Sequence, residues 1–173
     1  MKLAYTMAPG RGDTDLILAS LAATLAARGL ICGGTVQINT ERADSGPCDM
    51  DVKVLPDGPV LRISQELGRA AAGCRLNPDA LETSVALASA RLDAGADIIM
   101  INKFGKHEAE GRGFREVIAK ALAMDIPVLV GTNARNLPAL ERFTGGDATM
   151  LRPEPAALLA WVDGAMGGPA AVT

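Results

Sequence analysis

The sequence is poor in aromatic residues, in cysteine and in histidine. Phe, Trp and Tyr make up only 3% of the 173 residues, so a buried core must be built from Ala, Leu, Ile and Val. The single histidine, His107, and the lack of any C-x-x-C pair argue against a structural zinc site. Three cysteines, Cys32, Cys48 and Cys74, suit a reducing compartment better than a disulfide framework.

Long apolar runs and a basic stripe are also missing. The formal net charge is -3, which argues against nucleic acid as a partner. No stretch approaches the ~20 apolar residues of a membrane-spanning helix, and the first residues lack the pattern of a signal peptide. We therefore predict a cytoplasmic protein without membrane insertion. A hydrophobic content of 49% against 21% charged residues predicts one globular domain.

Strand and helix patterns alternate along most of the chain. Asn77-Pro78 is typical of a helix start, because Asn caps the helix and Pro suits its first turn. Residues 51–64 indicate two short strands around the turn Pro56-Asp57-Gly58, which predicts an antiparallel hairpin. Further strands are predicted at 2–7, 30–38, 96–102 and 126–131, and helices at 14–28, 77–93, 114–124, 137–143 and 155–162.

This alternation predicts a three-layer α/β/α fold, in which a mostly parallel sheet lies between two layers of helices. We expect one domain over residues 1–164, with the hairpin inserted at about 48–76 and a flexible tail at 165–173. Ligands of such sheets bind outside the carboxyl ends of the strands. The loops in that position are 8–13, 103–113 and 132–136.

The first of these loops resembles a P-loop with two substitutions. A P-loop reads G-x-x-x-x-G-K-[ST] between a strand and a helix; its amides and lysine hold phosphate, and its hydroxyl holds magnesium. In MAPGRGDT, residues 7–14, Gly12 is the second glycine and Thr14 the hydroxyl residue. Met7 replaces the first glycine and Asp13 replaces the lysine. A carboxylate there repels phosphate by about 4 kcal/mol at ~4 Å and an effective dielectric of 20.

Two interpretations of this loop stay open. In the first, Gly10, Gly12 and Thr14 contact a small anion, and Arg11 supplies the positive charge that the lysine would have given. In the second, the segment is a plain strand-to-helix turn, and Asp13 or Thr14 caps the helix.

The second loop, INKFGKHE at residues 101–108, follows a buried apolar strand. It resembles the D-E-x-G-x-x-E segment that closes the Walker B strand of small nucleoside triphosphatases, and Gly105 and Glu108 match that pattern. Asn102 and Lys103 stand where the two acidic residues would hold magnesium and activate water. Asn102-Lys103 also begins the N-K-x-D element by which GTPases read guanine, with Gly105 in place of the aspartate.

Positive charge gathers in the same loop. Lys103, Lys106 and His107, with Arg112 and Arg115, suit phosphate, molybdate or a nucleotide. The alternative is a solvated face of paired charges. The residues of this loop that we expect to bind the ligand together with residues 10–14 are Asn102, Lys103, Gly105, Lys106, His107 and Glu108.

Over nearly its whole length the sequence is similar to an uncharacterised bacterial family. The resemblance is carried by ISQELG (63–68), GCRLNP (73–78) and INKFGKHEAEGRG (101–113). That family resembles P-loop nucleoside triphosphatases, and its members are often associated with molybdate transport or molybdenum enzymes. The resemblance therefore implies a P-loop NTPase-like fold and a role in molybdenum metabolism.

These observations predict a nucleotide- or oxyanion-binding accessory protein with a degenerate P-loop, which does not carry out ordinary ATP or GTP hydrolysis. The cofactor would be a nucleotide or an oxyanion such as molybdate or phosphate. One alternative is an active nucleoside triphosphatase with non-standard phosphate-binding residues. Others are a metal or molybdate carrier that uses Cys48 and Cys74, or a non-catalytic interaction subunit. The sequence permits a homodimer or a protein partner in molybdenum handling.

Overall fold

A computed structural model describes residues 1–44, 46–65 and 76–167. Its strands are β1 (Leu3–Thr6), β2 (Cys32–Thr40), β3 (Asp49–Val54), β4 (Val60–Arg62), β5 (Ile98–Ile101), β6 (Val128–Gly131) and β7 (Thr149–Leu151). Its helices are α1 (Asp13–Ala27), α2 (Pro78–Ala94), α3 (Lys106–Ala109), α4 (Arg115–Ala123), α5 (Leu137–Thr144) and α6 (Pro155–Ala165).

The strands form one sheet in the order β4-β3-β2-β5-β6-β1-β7. Five of them, from β2 across to β7, run parallel, so their carboxyl ends meet at one edge. The predicted hairpin forms, and β3 also pairs antiparallel with β2, from Thr40 opposite Asp49 to Thr35 opposite Val54. It therefore extends the main sheet. The predicted α/β class and the mostly parallel sheet are confirmed.

Helices cover both faces of this sheet. On one face, α1 and α6 pack through Leu18, Leu25 and Leu158 against strand residues such as Met100. On the other face, α2, α4 and α5 form a second core with strand residues of the opposite orientation. The run Ile98–Ile101 is fully buried, as expected for a strand covered on both sides.

Two elements were not predicted. The strand β7 has only three residues, two of them exposed, so it gives no apolar run that a sequence pattern could reveal. The four-residue helix α3 lies inside the segment that was expected to be a loop. Asn77 caps α2 as predicted, accepting hydrogen bonds from the amides of Asp79 and Ala80.

The last helix is longer than expected, because α6 continues to Ala165. The predicted flexible tail falls, from residue 168 onwards, outside the described residues. Among the helices of the described ranges, none combines the length and the apolar character that crossing a bilayer requires.

Candidate functional site

The first loop joins β1 to α1 at the carboxyl edge of the sheet. Gly12 occupies the N-cap position of α1 with φ 79°, in the left-handed region that glycine adopts without strain. Its carbonyl accepts the amide of Leu16 at 3.1 Å and so begins the helix. A strand, a glycine loop and a 15-residue helix therefore follow one another as the sequence predicted.

The loop leaves several amides available. The Ala8 amide donates to the Thr14 hydroxyl at 2.9 Å, and the Asp13 amide donates to the Gly10 carbonyl at 3.3 Å. Within the described ranges, the amides of Arg11 and Gly12 have no hydrogen-bond acceptor. No side chain caps α1, so the predicted capping by Asp13 or Thr14 is wrong, whereas the choice between a plain turn and an anion site stays open. The N-terminus of α1 keeps its unpaired donors.

Asp13 lies where a P-loop has its lysine. A Cβ atom added to Gly10 would come within 1.9 Å of the Asp13 Oδ2 atom, so the carboxylate packs directly against Gly10. Asp13 and Arg11 are both exposed. The Asp13 carboxylate therefore lies beside the open amides. The Arg11 side chain is exposed, so it would approach a ligand from the solvent side.

A polar network that the sequence did not reveal connects this loop to the end of β5. Asn102 donates through Nδ2 to the Asp15 carboxylate at 2.8 Å and accepts the Gln37 amide through Oδ1 at 3.0 Å. Asn39 donates to the other Asp15 oxygen at 2.7 Å. Asn102 is only 4% exposed, so its side chain fixes the end of β5 to both α1 and β2. The signal for this network was the polar alternation Gln37–Asn39 at the end of β2.

The end of β6 completes this edge by close packing. A Cβ atom on Gly131 would lie 2.2 Å from the Asn102 carbonyl oxygen and 3.1 Å from Thr14 Cγ2. Only glycine fits between these groups. The carboxyl ends of β2, β5 and β6 and the start of α1 therefore pack closely together.

Glu108 is buried and bonded within its own loop. Its carboxylate accepts the Gly105 amide at 2.9 Å and the Phe114 amide at 3.1 Å, and only 3% of the residue is exposed. Gly113 is tightly packed on it, since a Cβ atom there would lie 2.1 Å from Glu108 Oε1. The side chain thus organises residues 105–114 into α3 and the start of α4.

Some of the predicted cations are already paired. Glu110 accepts from Arg112 and lies 3.9 Å from Lys106, and the Arg112 hydrogen bond is the main reason why the pKa of Glu110 lies below its usual value. Arg115 lies over the Phe143 ring at 4.6 Å. Lys103 and Lys106 are exposed and His107 is partly exposed. The interpretation of a solvated charged face therefore holds for part of this loop.

A cavity of about 230 Å³ opens beside the second loop. It lies between the β2–β3 part of the sheet, α2 and residues 102–108, and residues 8–14 do not line it. The sequence predicted one pocket between the two loops. The structure instead joins them directly through the Asn102–Asp15 hydrogen bond and places this cavity on the hairpin side of Asn102.

Comparisons with known proteins agree with this fold. Residues 3–161 match the model of a family described as protein of unknown function DUF2478. The chain belongs to the DUF2478 family. The predicted resemblance to an uncharacterised P-loop-related family is thereby confirmed.

The DUF2478 domain is also similar to a much longer protein. It is 39% identical, over 150 residues, to the molybdenum import ATP-binding protein ModC 2 of Bradyrhizobium diazoefficiens. The match covers 86% of this chain and 17% of that relative. A solved structure, titled as the solution structure of a human cancer-related nucleoside triphosphatase, matches with a TM-score of 0.59 and 17% identity over 87% of both chains. This likeness confirms the P-loop NTPase-like fold.

The side chains at two magnesium-holding positions of P-loop enzymes are not the usual ligand pair in this chain. The Thr14 hydroxyl accepts the Ala8 amide, and the Asn102 Nδ2 group is a hydrogen-bond donor at the place of a carboxylate. Magnesium prefers carboxylate and other oxygen ligands in octahedral geometry. Within the described ranges, no group of three or more His, Cys, Asp or Glu side chains could hold a metal ion.

Only one of the two cysteines of the carrier hypothesis lies in the described part of the chain. Cys48 is half-buried next to the start of β3, whereas Cys74 lies outside the described residues, so a metal or molybdate carrier that uses both stays a hypothesis. Cys32 is buried in the core beside α1, as the sequence suggested. Burial, followed by the nearby Asp97 charge, raises the pKa of the Cys32 thiol to about 11.

We expect Cys32 to resist alkylation in the folded protein. Because the thiolate is the nucleophile and the pKa is raised, almost none of the Cys32 side chain is reactive at pH 7–8. Peptide-level mass spectrometry after iodoacetamide treatment measures this directly, with the urea-unfolded protein as the control. Rapid native labelling of Cys32 at pH 7.5 would contradict the burial of this side chain.

Proposed function

We propose that this DUF2478 domain binds a nucleotide or a tetrahedral oxyanion at the N-terminus of α1 without hydrolysing nucleoside triphosphates. The observation that carries the proposal is the pair of open amides, at Arg11 and Gly12, in a glycine loop that ends a parallel strand. Unpaired amides and the positive end of a helix dipole attract anions. Arg11 and Lys103, both exposed at this edge of the sheet, supply mobile positive charge.

The lack of hydrolysis follows from three positions. Asp13 replaces the lysine that would neutralise the phosphates, and Asn102 and Lys103 replace the acidic pair that would hold magnesium and orient water. Asn102 is moreover engaged with Asp15 and Gln37, so its amide is committed to the structure. Binding can therefore occur without the groups that phosphoryl transfer requires.

A role in molybdenum handling is supported by the ATP-binding molybdenum import protein to which the chain is similar. Molybdate is a tetrahedral oxyanion, and open amides at a helix N-terminus are a suitable receptor for such an anion. We propose that the domain serves as an accessory module, which senses or holds nucleotide or molybdate for a partner protein.

Thermal-shift and calorimetric titrations test the proposal. The ligands are ATP, GTP, ADP, phosphate, sulfate, molybdate and tungstate, each with and without magnesium. A ligand at 100 times its dissociation constant should stabilise the fold by about 2.7 kcal/mol. Preference for nucleotide over phosphate would assign the first ligand class, and preference for molybdate over sulfate would assign the second. Absence of binding by every one of them would refute the proposal.

A matched pair of arginine variants locates the site. Arg11→Ala removes the exposed cation of the first loop and should weaken anion binding about three- to tenfold. Arg142→Ala makes the same change in the last turn of α5, outside both candidate loops, and should leave binding unchanged. Equal effects of the two variants would show that the anion is not held at the first loop.

A further inference from the structure

The cavity on the hairpin side of Asn102 has chemically distinct surfaces. Its apolar wall is formed by Met50, Val52, Ile63, Leu76, Leu81 and Phe114. Its polar floor is formed by Thr35, Gln37 and Asn102, and its rim by His107 and the two cations Lys103 and Lys106. A volume of about 230 Å³ equals that of roughly eight water molecules in the liquid. This is the size of a single aromatic ring with one substituent.

Thr35 is the feature that points to a ligand. Within the described ranges, eight polar or charged residues are buried: Thr6, Thr35, Ser64, Ser84, Asn102, Glu108, Thr132 and Thr144. The side chains of the other seven all make hydrogen bonds. The Thr35 hydroxyl, in a residue that is 2% exposed and lines the cavity, has no partner among the described residues. Among the described residues, every fully buried side-chain oxygen or nitrogen has a hydrogen-bond partner, so the Thr35 oxygen must be accessible from the cavity that the residue lines. A ligand in the cavity can therefore form a hydrogen bond with this hydroxyl.

The rim supplies charge of one sign. Lys103 makes no ion pair within the described part of the chain, and Lys106 lies 3.9 Å from Glu110 with 76% of its side chain exposed. The carboxylate that lines the cavity, that of Glu108, already accepts two backbone amides and is buried. An anionic group at the rim would therefore meet cations rather than a free carboxylate.

We propose that this cavity binds a small heteroaromatic anion, separately from the anion site at the first loop. The ring occupies the apolar wall, a ring acceptor atom takes the Thr35 hydroxyl proton, and a carboxylate or phosphate group lies at Lys103 and Lys106. The ring thus covers the apolar wall, and its acceptor atom takes the place of water at the Thr35 hydroxyl.

Methyl NMR with three matched probes tests this proposal. Nicotinate carries both the ring nitrogen and the charge, benzoate lacks the ring nitrogen, and nicotinamide lacks the charge. The protein is labelled at its methionine methyl groups; Met50 lies in the cavity wall, and Met150, which is exposed on β7, serves as internal control. We expect millimolar nicotinate to shift the Met50 signal and to bind about three- to tenfold more tightly than either other probe. If none of the three probes shifts the Met50 signal, the proposal is wrong.

Variants separate the contributions of the three surfaces. Thr35→Val keeps the shape and should remove the preference for nicotinate over benzoate, while the unliganded protein becomes no less stable. Lys103→Ala should remove the preference for nicotinate over nicotinamide. Val52→Phe fills the cavity and should abolish binding of all three probes. Retention of the Met50 shift in Val52→Phe would place the probes elsewhere and overturn the proposal.

Because Lys103 serves both proposed sites, substitutions of Arg11 and Val52 are used to distinguish the cavity from the first-loop site. Arg11→Ala should leave the binding of nicotinate unchanged, since residues 8–14 do not line the cavity. Conversely, any stabilisation by ATP or molybdate should persist in Val52→Phe, whose folding is checked by its far-UV circular dichroism. Loss of nicotinate binding in Arg11→Ala would mean that the two sites are one and would refute this inference.

Discussion

Replacing Glu108 by alanine is expected to lower the free energy of unfolding by about 3–5 kcal/mol. The substitution leaves the buried amides of Gly105 and Phe114 without their acceptor, and it creates a void against which Gly113 is packed. Both losses act on the segment that positions Lys103 and Lys106. Urea denaturation followed by circular dichroism measures the change.

Two further variants make the result specific to the carboxylate. Glu116→Ala removes an exposed glutamate from α4 and should change stability by a few tenths of a kcal/mol at most. Glu108→Gln keeps the side-chain volume but replaces one accepting oxygen by a donor. Its loss of unfolding free energy should therefore lie between those of Glu116→Ala and Glu108→Ala. A Glu108→Ala protein with the denaturation midpoint of the unmodified chain would show that the carboxylate does not hold this loop.

Replacing Asp13 by lysine is expected to tighten ATP binding about 100-fold, which corresponds to about 2.7 kcal/mol. Two like charges at ~4 Å repel by about 4 kcal/mol at an effective dielectric of 20, and an exposed pair keeps only part of this. The substitution removes that repulsion and adds an attraction at the position where P-loops carry their lysine. Isothermal titration calorimetry provides the affinities.

Asp147→Lys is the matched control for this change. It alters the charge of the chain by the same amount. Asp147, however, precedes β7 and so lies near the amino ends of the parallel strands, whereas Asp13 follows the carboxyl end of β1. A general electrostatic effect would tighten binding equally in both variants. Equal affinities in the two would therefore contradict the assignment of Asp13 to the phosphate position. Phosphate release should stay at background in both, because Asn102 and Lys103 are unchanged.

Most of the fold could be predicted because its signals are local. The apolar run at 98–101, the cap at Asn77 and the turn at 56–58 each specify an element through residues that are neighbours in sequence. The strand–loop–helix at residues 3–27 likewise has a glycine at the left-handed N-cap position of α1. Burial on both faces and helix capping depend on residues that are close in sequence, so a sequence pattern can predict them.

The arrangement of the candidate site could not be predicted, because it depends on pairing across the sheet. Asp15, Gln37 and Asn102 meet only after β2 and β5 lie side by side. The role of Glu108 depends on amides three and six residues away in a turn whose shape was unknown. Thr35 looks like any strand threonine until its neighbours in space show that its hydroxyl has no partner.

The hydrogen bond from the Ala8 amide to the Thr14 hydroxyl connects the two ends of the first loop. In a P-loop that hydroxyl is a ligand of the divalent cation, so the loop and the cation depend on each other. Here the hydroxyl accepts an amide of the chain itself. The shape of the loop, and any anion affinity that it confers, should therefore withstand complete chelation with EDTA.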